Sequence, residues 1–263
     1  MHKHHIHHAH ISAHHGYVDR SNRLDECIYL SERNPDIDMF EIDFVTYNNA
    51  IISAHDYEEP TILSGSFLSD WIRHFVPRGK IIWIDLKDTI ESLFFQSASR
   101  FDTSLFFRTL DFERRRLSAD QIDLRDWILL SSQFPHVQRI LSSVSSDYQI
   151  ISDLPSIATY LTKDIVPSFL TKPINALINS SIKTELRDLD NTSIIALDSS
   201  FFSDTTTLID FIKDLSQETI IIYSLRFDDS FDLNIPGKKI ISQYDYFYPI
   251  DTQEITADLF PKS

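Results

Sequence analysis

Residues 39–45 read Met-Phe-Glu-Ile-Asp-Phe-Val, and a β-strand turns alternate side chains to opposite faces. Glu41 and Asp43 therefore share one face, and Phe40, Ile42 and Phe44 the other. Two carboxylates held so close repel unless a cation sits between them or one keeps a proton, and a hard divalent ion such as Mg²⁺ or Ca²⁺ is the natural partner. A solvated edge strand with surface acids is the plainer reading of the same tripeptide. The pattern recurs at 80–87, Lys-Ile-Ile-Trp-Ile-Asp-Leu-Lys, where Asp85 and Lys87 share a face with Trp83, which lies deeper in the strand. Asp85 would complete an oxygen-rich metal site. Lys87 offers a cation to an anionic substrate or, equally, to a structural ion pair.

Two histidines each follow an apolar, strand-like stretch: His14 after Ile11-Ser12-Ala13, running into His15-Gly16, and His55 at the end of Ile51-Ile52-Ser53-Ala54. Imidazoles titrate near neutrality, so a pair flanking a phosphodiester can act as general base and general acid. A satisfied structural histidine is the alternative for each taken singly. Eight of the eleven histidines fall within the first fifteen residues. Those upstream of His14 read as a tag-like or disordered segment, or, for His8 and His10, as inward positions of a first strand.

These residues need elements to hold them. Strand-like runs occur at His10–Ala13, Met39–Val45, Lys80–Lys87, Asp126–Ser132, Tyr148–Asp153, Ser193–Asp198, Thr219–Leu225 and Lys239–Tyr244. Helical periodicity lies between them at Asn22–Arg33, Leu68–Phe75, Glu91–Arg116, Pro135–Ser143, Pro167–Arg187, Thr205–Leu215 and Thr252–Leu259. Strict alternation of strand and helix favours parallel strands, and eight such units predict an α/β fold of the closed (β/α)8 type, a TIM barrel, with an open doubly wound sheet as the alternative. Residues 1–263 read as one domain, with 1–9 as a His-rich N-terminal segment expected to be flexible. Both polar strand ends fall at C-terminal ends, where barrel active sites are built.

Composition narrows the partners. Against 24 Lys+Arg stand 39 Asp+Glu, a formal net charge of -15, which argues against nucleic acid and against a basic membrane-binding face. Cys27 is the one cysteine, so no intrachain disulfide forms and a cytoplasmic setting is the default. No apolar run approaches the roughly 20 residues of a membrane span. The four glycines, at 16, 65, 79 and 237, leave no glycine-rich phosphate loop, which removes P-loop and Rossmann readings.

In their order and spacing, Ala13-His14-His15-Gly16, Glu41-Ile-Asp43, Ala54-His55-Asp56 and Ile84-Asp85-Leu-Lys87 resemble the motifs of the glycerophosphodiester phosphodiesterase family, within the phospholipase-C-like phosphodiesterase barrels. The resemblance implies His14 and His55 as acid/base catalysts, Glu41, Asp43 and Asp85 as ligands of a divalent cation, Mg²⁺ or Ca²⁺, and His15 and Lys87 as substrate-binding residues. The substrate would be a small phosphodiester or a phospholipid head group. His15 stands where the family usually has Arg, and Asp85 where it usually has Glu; the first removes a bidentate phosphate fork and the second shortens the ligand by one methylene. A catalytically inactive barrel binding a phosphorylated ligand or protein partner, and a sphingomyelinase D-like or phosphatidylinositol phospholipase C-like enzyme, are the alternatives.

The remaining segments carry blander expectations. Glu113-Arg114-Arg115-Arg116 reads as a solvated helical surface. Phe94-Phe95 and Phe106-Phe107 read as helical core, and Trp71 and Trp127 as packing between helix and strand. The aromatic run Tyr244–Tyr248 reads as pocket wall or as packing under the barrel rim.

Overall fold

The computed structural model describes residues 11–14, 23–55, 57, 65–89, 92, 95–143, 147–154, 194–199, 202, 205–215, 217–225 and 235–245. Its strands are β1 (Ile11–His14), β2 (Met39–Tyr47), β3 (Ala50–Ser53), β4 (Ile81–Leu86), β5 (Ile128–Ser131), β6 (Gln149–Leu154), β7 (Ile194–Asp198), β8 (Thr219–Leu225) and β9 (Lys239–Asp245). They form one nine-stranded sheet in the order β1-β9-β8-β7-β6-β5-β4-β2-β3, and a further β1–β2 pairing closes it. Every pairing is parallel except β2 with β3. The eight parallel strands make a closed α/β barrel, so the (β/α)8 expectation holds and the open sheet does not. Each predicted strand is present within a residue or two at its ends.

The ninth strand was not among the eight expected. Asn48 and Asn49 both take positive φ, 46° and 59°, the conformation a two-residue type I′ hairpin loop needs, and asparagine tolerates it better than most residues. The chain thereby doubles back, and β3 pairs with Phe44–Tyr47, the part of β2 that extends beyond its pairing with β1.

The alternation along the strands sorts two cores. Met39, Ile81, Trp83, Leu129, Ile151, Ile194, Ala196, Ile221 and Ile241 fill the barrel interior. Phe40, Ile42, Phe44, Ile82, Ile84, Leu86 and Leu130 point outward into a second cluster shared with the helices. There α2 (Leu68–Phe75) buries Leu68, Trp71, Ile72 and Phe75, one apolar stripe at helical spacing. Phe75 lies 4.7 Å from Phe40, ring centre to ring centre, and Trp71 stacks on Phe75. Burying four such side chains contributes about 6–12 kcal/mol as an upper bound. Gly79, at φ 75°, ends the following turn and feeds β4.

Of the other expected helices, α1 (Arg23–Arg33), α4 (Pro135–Ser143) and α5 (Thr205–Lys213) form as expected, to within a residue or two, while 167–187 and 252–259 lie outside the described residues. The helix expected over 91–116 is instead α3 (Thr103–Ser118), because the Asp102 carboxylate caps the Leu105 N–H at 2.9 Å and the Asp102 N–H donates to Thr46 Oγ1 at 3.0 Å. Upstream, Asp88 draws the chain into a loop by accepting from the Thr89 and Arg100 N–H groups at 2.7 and 2.9 Å. Phe95 on that loop is 67 % exposed, so it is no part of a helical core, whereas Phe106 is fully buried. Glu113 likewise departs from the solvated-surface reading: it is fully buried and accepts from Arg73 and Arg116, both at 2.7 Å. The helix packs against α2, and that places Arg73 over it.

Among the described residues, no helix is long and apolar enough to cross a membrane.

Candidate active site

The inward face of β2 runs Met39, Glu41, Asp43, and that of β4 runs Ile81, Trp83, Asp85, so each strand passes from an apolar floor to an acidic end. The parallel register sets Asp43 directly beside Asp85 and Glu41 beside Trp83. One carboxylate oxygen from each of Glu41, Asp43 and Asp85 lies within 4.8 Å of the other two. All three acids are nearly sealed from water, at 9, 3 and 2 % exposure. The edge-strand reading is thereby excluded.

Lys87 follows on the same face. Its ammonium stands 3.2 Å from Asp43 Oδ1 and donates a hydrogen bond to Asp85 Oδ2. Burial works against its charge, but Asp43, Asp85 and Glu41 outweigh that and hold its pKa well above the usual lysine range. Among the described residues, Lys87 is the cation set against these three carboxylates. Oxygen ligands at about 2.0–2.6 Å from an ion lie at most about 4–5 Å apart across it, which matches the spread of the cluster. Hard oxygen donors and the spacing both suit one divalent cation held by Glu41, Asp43 and Asp85.

Two further residues that sequence reasoning did not single out orient these acids. Ser131, at the end of β5, donates its hydroxyl to Asp85 Oδ1 at 2.9 Å and accepts from Trp83 Nε1 at 2.7 Å. Gln243 on β9 donates its amide to Glu41 Oε2. Both bonds hold a carboxylate lone pair in place and leave other oxygens of the cluster for a ligand. The only prior signal was position, since Ser131 and Gln243 both fall at the C-terminal ends of inward-facing strands.

β1 brings the backbone of His14 into register with Glu41 on one side and with Asp245 on the other. The His14 side chain, His15 and the upstream histidines lie outside what the structure describes. His55 is half-buried, and the Ala54 N–H donates to the Asp43 carbonyl at 3.0 Å, which fixes the chain entering His55 to the acidic end of β2. Glu41, Asp43, Asp85 and Lys87 are thus brought together, with His14 and His55 following on the flanking chain.

A second polar knot sits behind this wall. His136 Nε2 lies 2.7 Å from Asp88 Oδ2 and 3.0 Å from Ser99 Oγ, tying the start of α4 to the loop that follows Lys87. Its connections run to backbone and to the outer layer, which makes it a brace for that loop.

No protein-family model matches the chain, and comparison with curated proteins gave no match. Solved structures do resemble it. A protein from Galdieria sulphuraria assigned to the glycerophosphodiester phosphodiesterases superposes with a TM-score of 0.51 at 13% identity, over 89% of this chain and 93% of that one. A protein from Silicibacter pomeroyi assigned as a glycerophosphoryl diester phosphodiesterase gives 0.52 at 11% identity, over 89% of each chain. At such identity the agreement speaks for the fold, and this chain shares their barrel along nearly its whole length.

Proposed function

We propose that the chain is a metal-dependent phosphodiesterase, a divergent relative of the glycerophosphodiester phosphodiesterases, acting as a single domain on a glycerophosphodiester or a related phospholipid-derived phosphodiester. The observation that carries this reading is the Glu41, Asp43, Asp85 and Lys87 cluster at the C-terminal mouth of a closed barrel. Support comes from the order of the motifs and from the barrel shared with the proteins compared above. The single buried Cys27 and the absence of any disulfide fit a cytoplasmic setting.

Glu41, Asp43 and Asp85 would hold a divalent cation, which when bound would supply positive charge for the non-bridging phosphoryl oxygens. Lys87 adds a second positive group at the same wall, and His15 is assigned to the substrate phosphate. His14 and His55 divide the proton transfers. One imidazole takes the proton of the attacking hydroxyl, of water or of a substrate hydroxyl, as its oxygen bonds to phosphorus; the other gives a proton to the leaving alkoxide as the bridging P–O bond breaks. The products are an alcohol and a phosphate ester.

The test is release of phosphomonoester from a panel of glycerophosphodiesters and lysophospholipids, with Mg²⁺, with Ca²⁺ and with chelator. Metal-dependent turnover that disappears in Glu41→Ala/Asp43→Ala supports the proposal. A folded protein that turns over nothing in the panel, and gains only thermal stability from phosphorylated ligands, moves the reading to a binding barrel.

A further inference from the structure

The arginines that follow Glu113 have no part in the chemistry above. β4 and β5 are parallel, so α3 and the turn after it carry the chain from the acidic mouth back to the N-terminal end of the barrel, where β5 begins at Ile128. α3 closes with the Ile122 N–H on the Leu117 carbonyl and the Gln121 N–H on the Ser118 carbonyl, both at 3.1 Å. Gln121 takes φ 61°, the left-handed conformation that ends a helix and reverses the chain. The reversal brings Arg125 to the same side as Arg114 and Arg115, and the three arginines line a cavity of about 360 Å³.

Their guanidinium groups keep donors to spare. Asp123 accepts from Arg125 Nε at 2.9 Å and from Nη2 at 2.7 Å, a bidentate pair that fixes the plane of the guanidinium; its Nη1 lies 3.8 Å from Asp147. Arg114 directs Nη2 to Asp111 at 2.8 Å, which leaves Nε and Nη1 outside that pair. Arg115 is exposed, and among the described residues its guanidinium has no partner. Among the described residues, the cavity is thus bordered by three cations and one carboxylate, Asp123, in a chain whose net charge is -15. Screening confines charge interactions at a surface to about 8 Å at physiological ionic strength, so the arginines govern what binds there rather than the distant acids. The fixed fork of a guanidinium matches the oxygens of a phosphate. The volume lies at the lower end of small-molecule sites, with room for carbon beside the phosphate, and Ile122 supplies an apolar contact for it.

We propose that this cavity binds a small organic phosphomonoester, with Arg115 as its principal phosphate ligand and Arg114 and Arg125 beside it. The site lies at the opposite end of the barrel from Glu41, Asp43 and Asp85, and it does not depend on the phosphodiesterase reading.

The experiment is calorimetric titration of the full chain with glycerol 3-phosphate, in chelator and at an ionic strength of about 0.15 M. The proteins are the wild type, Arg115→Gln, Arg115→Lys and Arg114→Gln/Arg115→Gln, with sulfate and glycerol as parallel probes and thermal unfolding to show that each variant is folded. The wild type is expected to bind one glycerol 3-phosphate per chain, more tightly than sulfate, and to give no heat with glycerol. Arg115→Gln is expected to weaken binding about tenfold or more, Arg115→Lys less, and the double variant to abolish it. Where the double variant does not fold, Arg115→Gln decides, because Arg115 is exposed and no described side chain depends on it. A wild type without saturable binding overturns the proposal. So does an affinity unchanged in Arg115→Gln, which puts the phosphate elsewhere on the chain. Sulfate bound as tightly as the ester also overturns it and leaves an unselective anion contact.

Discussion

Replacing Lys87 by methionine removes one positive charge from the acidic wall and keeps the length of the side chain. At 3.2 Å, with an effective dielectric constant of about 20, the attraction between Lys87 and Asp43 is about 5 kcal/mol, and the bond to Asp85 is at least as close. Each pair of carboxylate oxygens within 4.8 Å repels by about 3.5 kcal/mol or more on the same scale. Some of the imbalance is relieved by proton uptake and by water entering the mouth, so the net cost is that of breaking a buried ion pair, about 3–5 kcal/mol. For a chain of this size that corresponds to a fall in Tm of about 6–20 °C. The assay is thermal unfolding followed by circular dichroism near neutral pH, in chelator and then with millimolar Mg²⁺ or Ca²⁺. The variant is expected to melt well below the wild type in chelator and to gain more than the wild type from the cation, which takes over the neutralising role. A variant that melts within about 2 °C of the wild type in chelator would refute the charge accounting. A destabilised variant that neither cation rescues would refute the assignment of the carboxylates as a cation site.

Three further outcomes are expected. Ser131→Ala leaves Asp85 Oδ1 and Trp83 Nε1 each short of a partner, so stability falls by about 1–3 kcal/mol and divalent-cation affinity by about 10–100-fold, measured by denaturant unfolding and by calorimetric titration; unchanged affinity would remove Ser131 from the support of the site. Glu113→Gln tests a buried carboxylate whose pKa burial would raise but which hydrogen bonds from Arg73 and Arg116 hold below the usual range. A depressed folded-state pKa gives stability that is fully present above the unfolded value and is lost as pH falls through the folded one. The deficit of the variant, about 1–2 kcal/mol with both arginines partly in water, should therefore be constant from pH 8 to about 5 and vanish in stronger acid; a pH-independent deficit would contradict it. His55→Ala is expected to lower kcat by about 10²–10⁴-fold while the cation still raises Tm, and full turnover in that variant would dismiss it as an acid or base.

The barrel was legible because its signal is local. Met39–Val45 alternates with period two, and Leu68, Trp71, Ile72 and Phe75 recur at helical spacing, so each element announces its own type from a handful of neighbouring residues. The errors came where a local pattern was overruled by a partner far along the chain. Glu113 sits in a run that reads as solvated, yet α3 packs with that face toward α2, and Arg73, forty residues away, accompanies its burial. Residues 91–102 carry helical periodicity, yet the buried Asp88 carboxylate binds Thr89 and Arg100 backbone groups and leaves α3 to begin at its Asp102 cap. The hairpin to β3 rests on two asparagines at positive φ, a weaker turn signal than Asn-Gly.

The candidate site divides in the same way. Glu41 and Asp43 lie on one strand, Asp85 and Lys87 on another, and two strand ends carrying charge on one face are enough to suggest that they meet; the register that places Asp43 beside Asp85 then follows from parallel pairing. Ser131 and Gln243 touch the acids across 46 and 202 residues of sequence, and neither residue type advertises such a role. In this barrel the acidic residues stand on neighbouring strands and can be read in pairs, whereas the partners that orient them come within reach only when the strand order closes.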